Sequence, residues 1–357
     1  MSLELNVEKI EQSKLDQVDF DNLSFGAEFS DHMFICLYKN GKWQTPSIKP
    51  YGPISYMPAM SILHYGQGVF EGMKAFKQKD GKSIIFRTDS HYERFIRSCK
   101  RVVIPEVPKE IFIEGLKSLL QLDENWIPKD QFKSLYLRPF VFATDEYLGV
   151  RAAKTYAFMI IASPVGNYYK EGINPIKLTT MPDYVRAVKG GVGEAKVPGN
   201  YAASLLPAQI ALEQGFTQVL WIDANTKSNI EEVGTSNIFF VVNGSLITPA
   251  LSGSILSGIT RDSVIKLAAH KGLNVEQRTV SIQNIFDWHK TGALTEVFAT
   301  GTAAVISPVG SIHHQGERVV LNEKEMGPVS KMLYTHLTDI HHGYQPDPFG
   351  WCDPIKK

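Results

Sequence analysis

Hydrophobic and polar positions along this chain follow two periods, and the changes between them mark the elements. "HMFICLYKNGKWQTP" (32–46) holds two alternating runs joined by Asn40-Gly41. That dipeptide accepts the positive φ of a type I′ turn, so the stretch predicts a hairpin. "AFKQKDGKSIIFR" (75–87) predicts another around Asp80-Gly81. The period then lengthens. In "TDSHYERFIRSCKRVVIP", Tyr92, Phe95, Ile96, Cys99 and Val103 recur at helical spacing, and Ser90 with Glu93 spells a capping box. Arg94, Arg97 and Arg101 share another face, by default a solvated one. "KSLYLRPFVFATDEYLGV" (133–150) predicts a strand and a loop, and "TYAFMIIASP" (155–164) a strand buried on both faces. The Gly/Pro/Asn-rich "PVGNYYKEGINP" (164–175) reads as an interdomain linker.

The second half opens with a strand near "IKLTTMP". The glycine-rich loop "GVGEAKVPGNY" (191–201) then carries one lysine, Lys196. In "NYAASLLPAQIALEQG", Asn200 is placed to cap a helix and Gly215 to stop it, while Pro207 should kink or restart it. "QVLWID" predicts a strand, and "NIFFVVNGSLITP" (237–249) a hairpin on Asn243-Gly244. "SGITRDSVIKLAAHKG" (257–272) is an amphipathic helix opening after Gly258. "LTEVFATGTAAVISPVG" (294–310) is a strand entering a Gly301-Thr302 turn, and "GPVSKMLYTHLTDIHHG" closes the chain as a helix.

At 357 residues the chain is long for one core and predicts two domains: 1–163, the linker 164–175, and 176–357. Lys+Arg and Asp+Glu are both 37, so no charge excess points to nucleic acid or an anionic membrane. The polar N-terminus does not read as a signal peptide, and no apolar run is long enough for a transmembrane helix. Cys36, Cys99 and Cys352 form no C-x-x-C pair, which fits a reducing, cytoplasmic setting. The pairs His313–His314 and His341–His342 lack the companions of a zinc site, so no metal is expected.

Four features of the second half suit one another chemically. Lys196 is a loop amine, and Tyr201 follows it at a helix start. "IEEVGTSN" (230–237) sets carboxylates beside Gly234, Thr235, Ser236 and Asn237. The helix start at Gly258–Thr260 offers backbone N–H groups to an anion, and "ATGTAA" (299–304) adds a glycine turn with hydroxyls. An amine, a carboxylate and a phosphate cradle are what pyridoxal 5'-phosphate requires: a Schiff-base partner, a group at the pyridine nitrogen, and an anion site. Such a lysine must lose its proton, which burial and neighbouring positive charge favour.

Together, "GEAKVPGNYAASLLPAQ", "VLWID", "IEEVGTSNIFFV", "FEGMKAF" and "ATGTAA" resemble the branched-chain amino acid aminotransferases, fold-type IV pyridoxal-phosphate enzymes. The resemblance runs from about Phe25 to the C-terminal "GYQPDPFGW". It implies an α+β fold with a smaller N-terminal α/β domain and a larger C-terminal pseudo-barrel domain. It also implies reversible amino transfer from L-leucine, L-isoleucine or L-valine to 2-oxoglutarate, in a homodimer or larger homo-oligomer. By position, Lys196 matches the Schiff-base lysine, Tyr201 the tyrosine at the ring oxygen, and Glu232 the pyridine-nitrogen carboxylate. Strand alternation would aim Glu231 the other way. Arg94 matches the phosphate arginine, and Ile259, Thr260 and Thr302 the other phosphate contacts. Thr235 and Ala303 match positions beside the substrate carboxylate. Phe25, Tyr65, Phe70, Tyr136, Arg138 and Tyr168 match the substrate pocket; Leu148 and Val150 match a loop reaching the neighbouring subunit. Read without the resemblance, these aromatics are core packing. Apolar walls suit aliphatic side chains, and one methylene, about 0.8 kcal/mol, discriminates weakly among the three substrates.

Pro198 stands where the family usually has a small residue, and Pro207 interrupts the next helix. Some relatives, notably mammalian ones, carry a C-x-x-C redox pair after the "GTA" turn; here those positions are Ala304 and Ser307. A D-amino acid aminotransferase or aminodeoxychorismate lyase would share the lysine, glutamate and phosphate parts. "FEGMKAF", "YLRPF" and "EEVGTSN" favour the branched-chain group. A two-domain binding protein with an incidental lysine is the non-enzymatic alternative.

Overall fold

The computed structural model describes residues 3–166 and 174–356. They group into two compact units: Met1–Lys170 with Ala195–Pro198 and Thr338–Lys357, and Glu171–Glu194 with Gly199–Leu337. The lysine stretch Ala195–Pro198 therefore packs with the first unit. Most of the expected 164–175 linker lies outside the described residues.

The first unit is built on a sheet running Asn6–Val7, Ser47–Pro50, His32–Lys39, Tyr156–Val165, Ser134–Ala143, Met73–Lys77, Ser83–Phe86, Cys352–Pro354; Lys42–Trp43 and Gly68–Phe70 pair at its side. All these pairings are antiparallel except the first. Tyr156–Val165 is buried along nearly its whole length, as its unbroken apolar run predicts. Helices Thr88–Arg101 and Lys109–Leu122 belong to the same unit. Phe95 and Phe112 from these helices meet Phe158 at ring-centroid distances of 5.7 Å, and Phe34 meets Phe158 at 5.9 Å. All four rings are wholly buried.

Several local expectations are met and others are overridden. Asn40 (φ 53°) and Gly41 (φ 76°) both take the left-handed conformation that a type I′ turn requires. At 78–82 only Gly81 does so, and Gln78 N–H bonds Lys82 O at 2.8 Å, so this is a longer loop rather than a two-residue turn. The Ser90–Glu93 capping box does not form. The helix opens earlier, at Thr88, and the Arg87 guanidinium donates to the Ser90 hydroxyl instead. Val103 lies beyond the helix end, with φ 57° and 66% exposure, and is not a core position. His341 and His342 are buried packing residues: His341 stacks on Phe76 at 4.4 Å, and His342 Nδ1 meets Lys77 O.

The second unit carries the sheet Ile230–Val233, Gln218–Ile222, Ile176–Thr180, Val305–His314, Leu294–Gly301, Asn237–Val242, Ser245–Thr248, Val275–Gln277, with Glu317–Val320 at its side. Asn243 (φ 48°) and Gly244 (φ 78°) make the expected hairpin turn. Across Phe239↔Phe298 the rings stack at 5.3 Å. The expected helix after Lys196 divides into Pro198–Ala202 and Leu205–Glu213. Each proline falls in a first turn, where a missing N–H costs no intrahelical bond. Asn200 is not a cap: its amide donates to Val192 O at 2.8 Å from within the short helix. Gly215 (φ 83°) ends the second helix as expected. No helix among the described residues is long and apolar enough to cross a membrane.

Gly115 sets how closely helix Lys109–Leu122 approaches strand His32–Lys39. A Cβ there would lie 2.8 Å from two atoms of the Phe34 ring. Gly115→Ala gains about 1 kcal/mol of helix propensity. Overpacking a buried ring that cannot swing aside costs about 1–3 kcal/mol. The variant is expected to melt below wild type by calorimetry; a higher midpoint would show that the helix can shift.

Candidate active site

Three sequence motifs converge on the backbone of Lys196 in the first unit. Its N–H donates to Ser98 Oγ at 2.9 Å, and its carbonyl accepts from Phe70 N–H at 3.1 Å. The Ser98 hydroxyl in turn donates to Arg94 O, one helical turn back. The lysine loop is thus fastened to the "FEG" strand end and to helix Thr88–Arg101. Lys196 is half-buried, and its Nζ lies 4.9 Å from the Phe70 ring centroid.

Arg94 leaves the solvated face that helical spacing assigned it. It is 3% exposed, and Arg97 and Arg101 remain outside. Its Nε donates to Glu71 Oε2 at 2.9 Å and its Nη2 to Oε1. His91 Nδ1 lies 3.2 Å from Glu71 Oε1. Burial alone would raise the Glu71 carboxyl; Arg94 and His91 overturn that and hold it well below the ordinary range. Burial pushes His91 down, so it is chiefly neutral at pH 7.

Beside this mount lies an aromatic group. Arg138 places its guanidinium 4.8 Å from the Phe70 centroid and donates to Tyr136 Oη at 3.0 Å. The Arg138 Nε is buried and makes no hydrogen bond among the described residues. Phe25 packs edge-on against Tyr136 at 5.0 Å. Gly72 permits this: a Cβ there would meet Tyr136 Oη at 2.0 Å. Tyr65 is a separate contact, its hydroxyl donating to Leu148 O. Leu148 and Val150 are 62% and 85% exposed. Tyr168 lies outside the described residues.

In the second unit a tight turn orders the expected residues. Val233 and Ser236 exchange two backbone bonds of 2.8 Å, with Gly234 left-handed at φ 52° and its carbonyl held by the Trp221 indole at 2.8 Å. Before the turn, Glu232 is 3% exposed. Its Oε1 accepts from Leu256 N–H at 2.7 Å, and Arg186 Nε lies 3.1 Å from Oε2. Asn237 Nδ2 donates to Leu256 O at 2.9 Å. A Cβ on Gly258 would meet Asn237 Oδ1 at 1.9 Å, so glycine lets the chain pass there. Helix Ile259–His270 starts next, with no side-chain cap on its first N–H groups. Glu231 takes a different partner, the Ser254 hydroxyl, and fronts a pocket of about 170 Å³ with Asp223, Ser252 and Thr279.

Thr235 is exposed at the turn, and Thr302 and Ala303 are half-buried. Strands Asn237–Val242 and Leu294–Gly301 pair Asn237 with Thr300, which sets both turns at one end of the sheet. Val305 closes the second turn at φ 61°, a strained conformation for a β-branched residue. Tyr201 is half-buried on helix Pro198–Ala202.

Glu71, Gly72, Ser98, Arg186 and Leu256 are not singled out by sequence reasoning. Glu71 and Gly72 were within reach, inside "FEGMKAF"; Arg186 had no local signal.

Glu71→Gln removes the buried carboxylate that Arg94 pairs with, a loss of about 3–5 kcal/mol. Because the native carboxyl lies well below its unfolded value of about 4.3, its stabilisation is complete above that value and is lost only as pH falls through the native one. The melting difference between wild type and variant should stay constant from pH 7 to pH 5. A difference that shrinks steadily over that range would contradict the pairing.

Residues 68–312 match the family described as Amino-transferase class IV. The Branched-chain-amino-acid aminotransferase 2 of Bacillus subtilis (strain 168) is 49% identical over 348 residues, 97% of this chain and 96% of its own. A probable branched-chain-amino-acid aminotransferase of Staphylococcus aureus (strain MRSA252) is 48% identical over 359 residues, covering 100% of both chains. Among solved structures, the branched-chain amino acid aminotransferase from Escherichia coli aligns with a TM-score of 0.73 at 27% identity, over 92% of this chain and 99% of that one. The branched-chain aminotransferase from the thermophilic archaeon Thermoproteus uzoniensis, solved with norvaline, gives 0.74 at 25% identity, over 91% and 99%. By a family match across most of its length and by relatives nearly half identical from end to end, this chain belongs to the branched-chain-amino-acid aminotransferases, pyridoxal-phosphate enzymes of class IV.

Proposed function

We propose that Lys196 is the catalytic amine of a branched-chain amino acid aminotransferase that exchanges the amino group of L-leucine, L-isoleucine or L-valine with 2-oxoglutarate. The carrying observation is the backbone mount of Lys196: two hydrogen bonds fix the residue while its amine lies over Phe70. The donor set fits pyridoxal 5'-phosphate. It comprises a half-buried amine, a buried carboxylate at Glu232, and a helix start at Ile259 without a side-chain cap, reached through a glycine that admits no Cβ. When bound, the cofactor supplies an electron sink for the substrate's Cα carbanion.

Each residue then has a stated task. Lys196 carries the cofactor and moves a proton to and from the substrate Cα. Glu232 would be the anion that keeps the ring nitrogen protonated, and Tyr201 would hold the ring oxygen. Arg94 and the backbone N–H groups of Ile259 and Thr260 take the phosphate, with Thr302. Thr235 and Ala303 flank the substrate carboxylate. Phe25, Tyr65, Phe70 and Tyr136 wall the side-chain pocket, and Tyr168 is assigned to it by its place in the sequence.

Two substrates of unlike polarity must use that pocket. Aliphatic side chains gain about 0.8 kcal/mol per buried CH₂. The side-chain carboxylate of 2-oxoglutarate needs a cation, and the Nε of Arg138, without a hydrogen bond among the described residues, is a donor among those rings. The exposed Leu148 and Val150 fit a loop that reaches a second copy, so we read the enzyme as a homodimer or larger. Three cysteines with no C-x-x-C pair support a cytoplasmic location.

Lys196→Ala should abolish the visible absorbance of the lysine-bound cofactor, together with turnover. Glu232→Gln should still load with cofactor at saturating pyridoxal 5'-phosphate and lose roughly 10²–10³ in kcat. Amino-donor kinetics with 2-oxoglutarate should show L-leucine, L-isoleucine and L-valine as substrates; activity on D-alanine with none on L-leucine would refute the substrate reading. Sedimentation should give at least twice the chain mass, and a monomer would remove the role of Leu148 and Val150.

A further inference from the structure

Glu231 and Glu232 are consecutive, and both are at least 95% buried. Arg186, itself 9% exposed, pairs with Glu232 and acts electrostatically on Glu231. Its Nε is 3.1 Å from Glu232 Oε2, and its charge also acts on Glu231. Its Nη2 donates to Ser254 O, within the segment whose Leu256 N–H holds Glu232. Arg186 thus ties the carboxylate to the 254–258 turn that opens helix Ile259–His270.

Other charges act here too. Arg261 feels Glu232 electrostatically, but its Nη2 is committed to Pro249 O and Gln277 Oε1. Asp262 offsets part of the Arg261 charge. Asp223 acts on Glu231 from the pocket side, where Lys189 also lies. Burial raises the Glu231 carboxyl despite the Ser254 bond and Arg186.

We propose that Arg186 is a positioning residue for Glu232, holding that carboxylate ionised and fixed against the 254–258 turn. The inference rests on the reading of Glu232 as the partner of the ring nitrogen. Without the guanidinium, Glu232 takes up a proton at higher pH, because a carboxylate in a buried site loses its stabilising cation. Its contribution then fails sooner as pH falls. The ring loses its anionic partner, so cofactor affinity falls as well.

The test compares wild type, Arg186→Lys and Arg186→Met. The readouts are the dissociation constant of pyridoxal 5'-phosphate and the pH dependence of kcat/KM for L-leucine. Arg186→Met should bind the cofactor at least about tenfold more weakly, with the acid limb of the profile moved to higher pH. Arg186→Lys, which keeps the charge but loses the planar fork, should restore the acid limb more than the affinity. If Arg186→Met melts lower but keeps the wild-type acid limb and affinity, Arg186 is only structural and the proposal is overturned. If Arg186→Met does not fold, an Arg186→Lys variant with wild-type affinity overturns it, and weakened affinity with a retained acid limb supports it. Unchanged turnover in Glu232→Gln would instead refute the role of Glu232 at the ring nitrogen, independently of Arg186.

Discussion

A fully buried carboxylate, Glu71, obliges the first unit to supply a cation within bonding distance, and Arg94 is that cation. An unpaired ion at such depth costs several kcal/mol, so the pair acts as a geometric requirement more than as a source of stability. It commits the end of the Gly68–Phe70 strand and helix Thr88–Arg101 to one separation. Ser98 sits one turn further along that helix and receives the Lys196 amide. Phe70, the residue before Glu71, donates to the Lys196 carbonyl. The lysine takes its position from this pair, with no rigid element of its own.

The second unit solves a similar problem with backbone groups. Glu232 precedes a turn in which Gly234 adopts a left-handed conformation and Trp221 anchors the carbonyl. Leu256, Asn237 and Gly258 interlock so tightly that only glycine fits at 258. An acid group and a helix start are thereby joined into one hydrogen-bonded piece. Groups held by their own packing need no rearrangement when a ligand arrives, which is the main thing a protein contributes to cofactor chemistry.

Specificity has a simple physical form in this arrangement. On the proposed reading, the aromatic rings around Arg138 would offer burial to aliphatic side chains, and the guanidinium charge to an acidic one. Stacking the guanidinium on rings lets an apolar wall and a cation occupy the same small space, because its faces are weakly hydrated. Gly72 is a silent part of this design, leaving the room that the Tyr136 hydroxyl fills.

Features determined by short-range physics were legible in the sequence. Asn40-Gly41 and Asn243-Gly244 turn as read, since few residues tolerate positive φ. The unbroken apolar run at 155–164 is a doubly covered strand, and the helix after Gly258 begins where that glycine ends the turn. The motifs around Lys196, Glu232 and Gly301 also identified the family. Choices of partner were not legible, because they depend on what the fold brings near. Ser90 looked like a cap until Arg87 claimed its hydroxyl, and Asn200 looked like another until Val192 O came within reach. Helical spacing put Arg94 on a solvated face and the resemblance gave it a phosphate, but neither named Glu71 as its partner. Pro198, an anomaly in the sequence, suits the first turn of a short helix. The sequence by itself determined turns, periods and chemistry; which donor meets which acceptor was decided by tertiary packing, since a buried polar group must take whichever partner the fold delivers.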